Sequence, residues 1–108
     1  MTFDIRITDD AARDLEEIYE FILQHDSLTA ATHVLDKIEK SIEDLKTLPH
    51  RERHPKELAS LGIKDYREIF FKPYRILYRV QAKSVFIFLI ADGRRDMQTL
   101  LSRRLLGP

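Results

Sequence analysis

Polar and apolar residues alternate from Thr2 to Thr8, with Phe3, Ile5 and Ile7 on one side. A period of two predicts a half-buried strand. The period then lengthens. Ala11, Leu15, Ile18, Tyr19, Ile22 and Leu23 form a helical stripe, with Thr8 or Asp9 as its N-cap and acids in its first turns. Gln24 to Leu28 interrupts that stripe. Ser27 or Thr29 can cap a second helix, whose stripe runs through Ala31, Val34, Leu35, Ile38, Ile42, Leu45 and Leu48 up to Pro49. Two amphipathic helices with a short connection predict an antiparallel hairpin. His50 to Ile63 is irregular, with one helical turn expected near Glu57 to Leu61.

Three strand-like runs follow, separated by Lys72-Pro73 and Ala82-Lys83 as two-residue turns. That register sets Phe71 against Tyr74, Ile69 against Ile76 and Arg67 against Tyr78. Across the second turn it sets Val80 against Val85, Tyr78 against Ile87 and Ile76 against Leu89. One face then carries Ile69, Phe71, Ile76, Tyr78, Val80, Val85, Ile87 and Leu89, and it packs on the hairpin. The other carries Tyr66, Glu68, Phe70, Arg75, Leu77, Arg79, Phe86, Phe88 and Ile90. It is too apolar for an ordinary solvent face and reads as a contact surface. Asp92-Gly93 ends the last strand, and Asp96 caps a short helix carrying Met97, Leu100, Leu101 and Leu105. The expected fold class is α+β: N-terminal strand, antiparallel helix hairpin, three-stranded antiparallel meander and short C-terminal helix.

Composition narrows the function. At 108 residues, with 44% hydrophobic and 33% charged residues, residues 1–108 are expected to form one globular domain. No apolar run approaches the length of a membrane span, the N-terminus does not read as a secretory signal, and no cysteine is present. A cytoplasmic protein without membrane contact is expected. The formal net charge of zero hides a division. Residues 1–48 hold five Lys and Arg against twelve Asp and Glu, whereas residues 49–108 hold thirteen against six. Such a chain can offer an acidic partner one surface and a basic partner another. His50 and His54 have a metal-like spacing, but prolines flank the pair and no third ligand lies nearby, so neither metal nor cofactor is expected.

The ordered set resembles the RelE/ParE superfamily of bacterial toxins from type II toxin–antitoxin modules. The residues that carry the resemblance are Ala12, Leu15 and Ile18, Leu48-Pro49, Tyr66-Arg67-Glu68 and Tyr74-Arg75-Ile76-Leu77-Tyr78. Asp92-Gly93-Arg94-Arg95-Asp96 follows, before Leu100-Leu101 and Arg104-Leu105. The superfamily implies two activities. The RelE-like branch cuts mRNA on the ribosome, which demands proton transfer and charge stabilisation at the phosphate. The ParE-like branch arrests DNA gyrase on cleaved DNA. No Tyr or His follows Tyr78, so the end of the last strand offers no local acid or base in the sequence, and the long acidic hairpin and retained C-terminal helix are similar to ParE.

The resemblance therefore implies a non-enzymatic gyrase poison neutralised by an antitoxin with an acidic, amphipathic tail. A hetero-oligomer with that antitoxin is implied, and DNA is met only through antitoxin or gyrase. Arg94, Arg95, Asp96, Arg103 and Arg104 are the expected target-binding residues. Phe70, Arg75, Leu77, Arg79, Phe86 and Phe88 are the expected antitoxin-binding residues. The runner-up is an mRNA endonuclease using Arg67, Glu68, Arg75, Arg95, His50 and His54. A third reading is an inactive toxin-fold partner or corepressor.

Overall fold

The computed structural model describes residues 2–106. Strand β1 (Asp4–Ile7) leads into helix α1 (Asp9–His25), and Thr8 caps that helix through its side-chain oxygen, which accepts from the Ala11 amide. Ser27 caps α2 (Leu28–Glu43) in the same way, accepting from Ala30. Short polar side chains at these two positions satisfy amides that the first turn leaves without a partner. Two 3-10 turns (Asp44–Lys46, Pro49–Arg51) and the one-turn helix α3 (Lys56–Ala59) lead to the sheet. Strands β2 (Tyr66–Phe71), β3 (Tyr74–Gln81) and β4 (Ser84–Asp92) form the antiparallel meander, and α4 (Met97–Leu106) closes the order. β1 lies parallel to β4 at the edge, giving the order β1-β4-β3-β2.

The fold expectation holds, with two local corrections. The α-helical part of α2 stops at Glu43 rather than running up to Pro49. Leu48 is left-handed (φ 51°) and 60% exposed, so it leaves the buried stripe that Leu45 still joins. The second correction lies in the sheet. Every expected cross-strand pair is present except Ile76 with Leu89: Leu77 opposes Leu89 and Ile76 opposes Ile90. A register shift beside Leu77 and Tyr78 inserts one residue on β4, and a β-bulge reverses the facing of everything beyond it.

Two cores result, one on each face of the sheet. Ile76, Tyr78, Val85, Ile87 and Ile90 pack with Ala11, Ile38, Ile42 and Leu45 from the helix side. Leu77, Leu89 and Ala91 pack with Leu58 of α3 and Met97 and Leu101 of α4 on the other. The second face is too apolar to face water, and the C-terminal helix covers part of it through Met97 and Leu101. The buried Tyr78 hydroxyl donates to the Pro49 carbonyl at 2.6 Å, tying the loop before β2 to the sheet, and burial raises its pKa. No described helix is long and apolar enough to cross a membrane.

Candidate functional site

The exit from β4 is built from backbone hydrogen bonds. Gly93 N–H donates to the Pro73 carbonyl at 2.7 Å, and Arg95 N–H donates to the Asp92 carbonyl. Gly93 is required there by close approach. A Cβ at that position would stand 2.8 Å from Cδ of Arg75 and 3.2 Å from the Pro73 oxygen. Asp92 accepts from the Arg94 amide and from Arg94 Nε, both at 2.9 Å. Those bonds hold the Asp92 carboxyl below its ordinary range. Asp96 then caps α4, accepting from Thr99 N–H (3.1 Å) and Thr99 hydroxyl (2.7 Å), which lowers its pKa as well.

Five target-binding residues are expected at this end, and the structure gives them different work. Arg94, Arg95 and Arg103 are exposed. Asp96 is committed to the helix cap. Arg104 turns inward: Nη1 and Nη2 each donate to one oxygen of Asp14 at 2.9 Å, and Nη1 donates also to the Phe88 carbonyl at 2.6 Å. It latches α4 onto α1 and β4, so as placed it presents no charge to a target.

Arg75 is the other correction. It is 7% exposed, with Nη1 and Nη2 forked onto Glu57 (2.8 and 2.7 Å) and Nε on Glu68 at 2.8 Å. The guanidinium bonds keep Glu57 ionised below the usual carboxylate range, and the two carboxylates push Arg75 up in return. Leu77 is 1% exposed, beneath the cluster that α3 and α4 complete. Neither Arg75 nor Leu77 is accessible to a partner in this arrangement. The rest of the antitoxin-binding set stays reachable. Arg6, Phe86, Arg79 and Tyr66 are consecutive partners across all four strands, forming an apolar and basic row, with Phe88 edge-on to Tyr66 at 5.4 Å. Phe70 is exposed at the far edge with Arg53 over its ring.

The structure brings only part of the runner-up nuclease set together. Glu68 and Arg75 neutralise one another on one face of the sheet, in a cleft that His54 also lines. Arg67 points to the other face and donates to the Glu52 carbonyl, and the His50 ring stands edge-on to Phe3. His54 Nδ1 donates to the Tyr66 carbonyl at 2.9 Å. Among the described residues no three His, Asp or Glu side chains converge as a metal site.

One residue by the exit was missed. Tyr74 opposes Asp92 across β3 and β4, and with Arg94 and Arg95 it lines a cavity of about 350 Å³ against Ile18, Phe21 and Ile22 of α1. Burial, then the Asp92 charge, raises its phenol, which stays protonated at neutral pH. The absence of Tyr and His after Tyr78 therefore does not empty this end of phenols. The signal was the hairpin register itself, which carries the start of β3 to the end of β4.

A family model described as ParE toxin of type II toxin-antitoxin system, parDE, matches residues 5–97. Toxin ParE3 of Caulobacter vibrioides is 25% identical over 91 residues, spanning 84% of this chain and 87% of that protein. Among solved structures, the chromosomal ParDE system of P. aeruginosa superposes with a TM-score of 0.72 at 20% identity, over 84% of this chain and 96% of that one. A mutant of E. coli toxin RelE in the free state gives 0.62 at 16% identity, covering 93% of each chain. The RelBE2 toxin–antitoxin complex of Mycobacterium tuberculosis gives 0.57 at 23% identity, over 85% and 92%. At these identities the superpositions speak for the fold.

Proposed function

This chain belongs to the ParE toxin family of type II toxin–antitoxin systems, and we propose that it acts, as a single toxin domain over residues 1–108, by binding and poisoning DNA gyrase in the cytoplasm. The observation that carries the non-enzymatic reading is the state of Arg75. Arg75, one of the sheet arginines in the nuclease set, is buried and saturated by Glu57 and Glu68. A phosphoryl-cleaving site needs free positive charge where negative charge develops. Here Arg94, Arg95 and Arg103 supply exposed charge at the exit, on a surface suited to docking. DNA is met through gyrase or the antitoxin rather than directly.

The antitoxin's acidic amphipathic tail is proposed to lie along the open row of Phe86, Arg79 and Phe88, with Phe70 at the sheet's far edge, giving a toxin–antitoxin hetero-oligomer. Its ordering on binding would exchange chain entropy for coverage of that row. The test is supercoiling by purified gyrase. Wild-type protein inhibits it or accumulates cleaved DNA, and the Arg94→Ala/Arg95→Ala variant is impaired. Full inhibition by that variant removes the arginines from the site.

The nuclease reading has one observation in its favour, the protonated Tyr74 beside Arg94 and Arg95. It predicts codon-phased mRNA cuts after induction, lost in Tyr74→Phe. Filamentation with an SOS response and uncut mRNA supports gyrase instead. Normal growth on expression without the antitoxin favours an inert partner or corepressor.

A further inference from the structure

We propose that the cavity between α1 and the end of the sheet is a socket for a protein segment, an apolar anchor residue with a carboxylate beside it, and that nucleic acid is not its ligand. This rests on the reading of the β4 exit as the target-contacting end and names what that end grips.

The socket is apolar at its floor. Ile18, Ile22, Ile90, Ala91 and the Tyr74 ring line it, and its volume of about 350 Å³ lies at the lower end of the range for ligand pockets. Phe21 forms part of its wall and is 62% exposed, a large aromatic left in water. The Phe21 ring is held rather than loose. His25, one turn on, stacks on it at 4.2 Å between centroids (19° between planes), with Nδ1 donating to the Phe21 carbonyl at 2.9 Å. A pre-positioned aromatic beside an apolar hollow is the arrangement on which binding energy concentrates in protein interfaces.

The charges argue against a polyanion. Asp14, Glu17 and Asp92 line the same cavity as Arg94 and Arg95, so carboxylates outnumber guanidiniums three to two. Arg94 is held by Asp92, and Asp14 is taken up by Arg104. Arg95 has no ion pair among the described residues. Nucleic acid binding draws its affinity from several cations that neutralise successive phosphates. With Asp92 and Asp14 taken up in those pairs, Arg95 is left against Glu17 alone, and no run of cations is there to follow successive phosphates. Opposite walls of opposite sign, Glu17 on α1 and Arg95 on the exit, instead orient a segment whose carboxylate meets Arg95 and whose apolar side chain enters between them.

The experiment uses the full chain and three variants: Phe21→Ser, the conservative Phe21→Leu, and Arg94→Ala/Arg95→Ala. Growth arrest on induction and inhibition of gyrase supercoiling are read together, with binding to fluorescent duplex DNA and single-stranded RNA across a salt series. Phe21→Ser is expected to weaken inhibition by about thirtyfold, the scale of an aromatic hot spot. Phe21→Leu is expected to recover most of it, and both are expected to unfold at the wild-type temperature because the side chain is exposed. Neither oligonucleotide is expected to bind saturably. Saturable binding with a steep salt dependence that Arg94→Ala/Arg95→Ala abolishes overturns the proposal. So does full activity of Phe21→Ser where the arginine variant is inactive, and in that case the exit keeps its role without the socket. If both variants are fully active, the target-contacting end lies elsewhere, and the reading beneath the proposal falls with it.

Discussion

Arg75 is the residue on which most of the internal electrostatics turn. It was expected to face a partner, and instead it is sealed between Glu57 and Glu68. Removing one member of a buried ion cluster leaves the others uncompensated, so Arg75→Met should cost about 3–5 kcal/mol in urea unfolding. Gly93 allows that cluster to form. Gly93→Ala would press a methyl group to 2.8 Å from the Arg75 side chain and 3.2 Å from a backbone oxygen, and a loss of about 1–3 kcal/mol is expected. The same cluster sets a pH dependence. Glu57 has a folded pKa below its ordinary value of 4.5. Its contribution is therefore fully present above that value and is lost as pH falls through the lower, folded one. Wild-type protein should lose stability on acidification below about pH 4.5 more steeply than Glu57→Gln, measured as the shift in urea midpoint with pH. Phe21 stands at the opposite extreme, exposed and pre-positioned, and residue chemistry alone could not separate the two situations.

Among the elements, α4 has the most conditional position. It covers Leu77, Leu89 and Ala91 through Met97 and Leu101, and Arg104 ties its far end to Asp14 and the Phe88 carbonyl. Hydrogen bonds to charged groups contribute about 1.5–3 kcal/mol. Arg104→Met should therefore raise amide exchange in α4 by tenfold or more while leaving α1 and α2 protected, as measured by hydrogen exchange. Uniform exchange through every element would show that α4 opens only with the whole fold. The bulge on β4 belongs to this scale as well. By adding one residue it sends Ile90 to the hairpin core and Leu89 to α4, so the two helical layers each receive an apolar strand end.

At the scale of the whole molecule, the sheet separates two working surfaces. The row through Arg79, Phe86 and Phe88 lies on the face away from the helix hairpin, whereas the socket at Phe21 lies between α1 and the strand ends. Separation of function should follow. Phe86→Glu is expected to abolish co-purification with the antitoxin while growth arrest persists, and Phe21→Ser to do the reverse. Loss of both properties in either variant would mean that the surfaces are one. Among the described residues Arg104 reaches across from the basic half to Asp10 and Asp14, while the pairs of Arg75 and Arg94 stay within the basic half. Much of this was legible beforehand. Periodicity, caps and turns determine the element order, the hairpin registers up to Leu77 and the apolar character of both sheet faces, because those depend on neighbours within a few residues or across one tight turn. What the tertiary structure decided was occupancy. Whether Arg75 is sealed by Glu57, whether Arg104 latches a helix and whether a bulge re-aims Leu89 all depend on contacts that the local sequence does not fix. Asp14 and Arg104, ninety residues apart, meet only once α1 and α4 have packed on the same sheet.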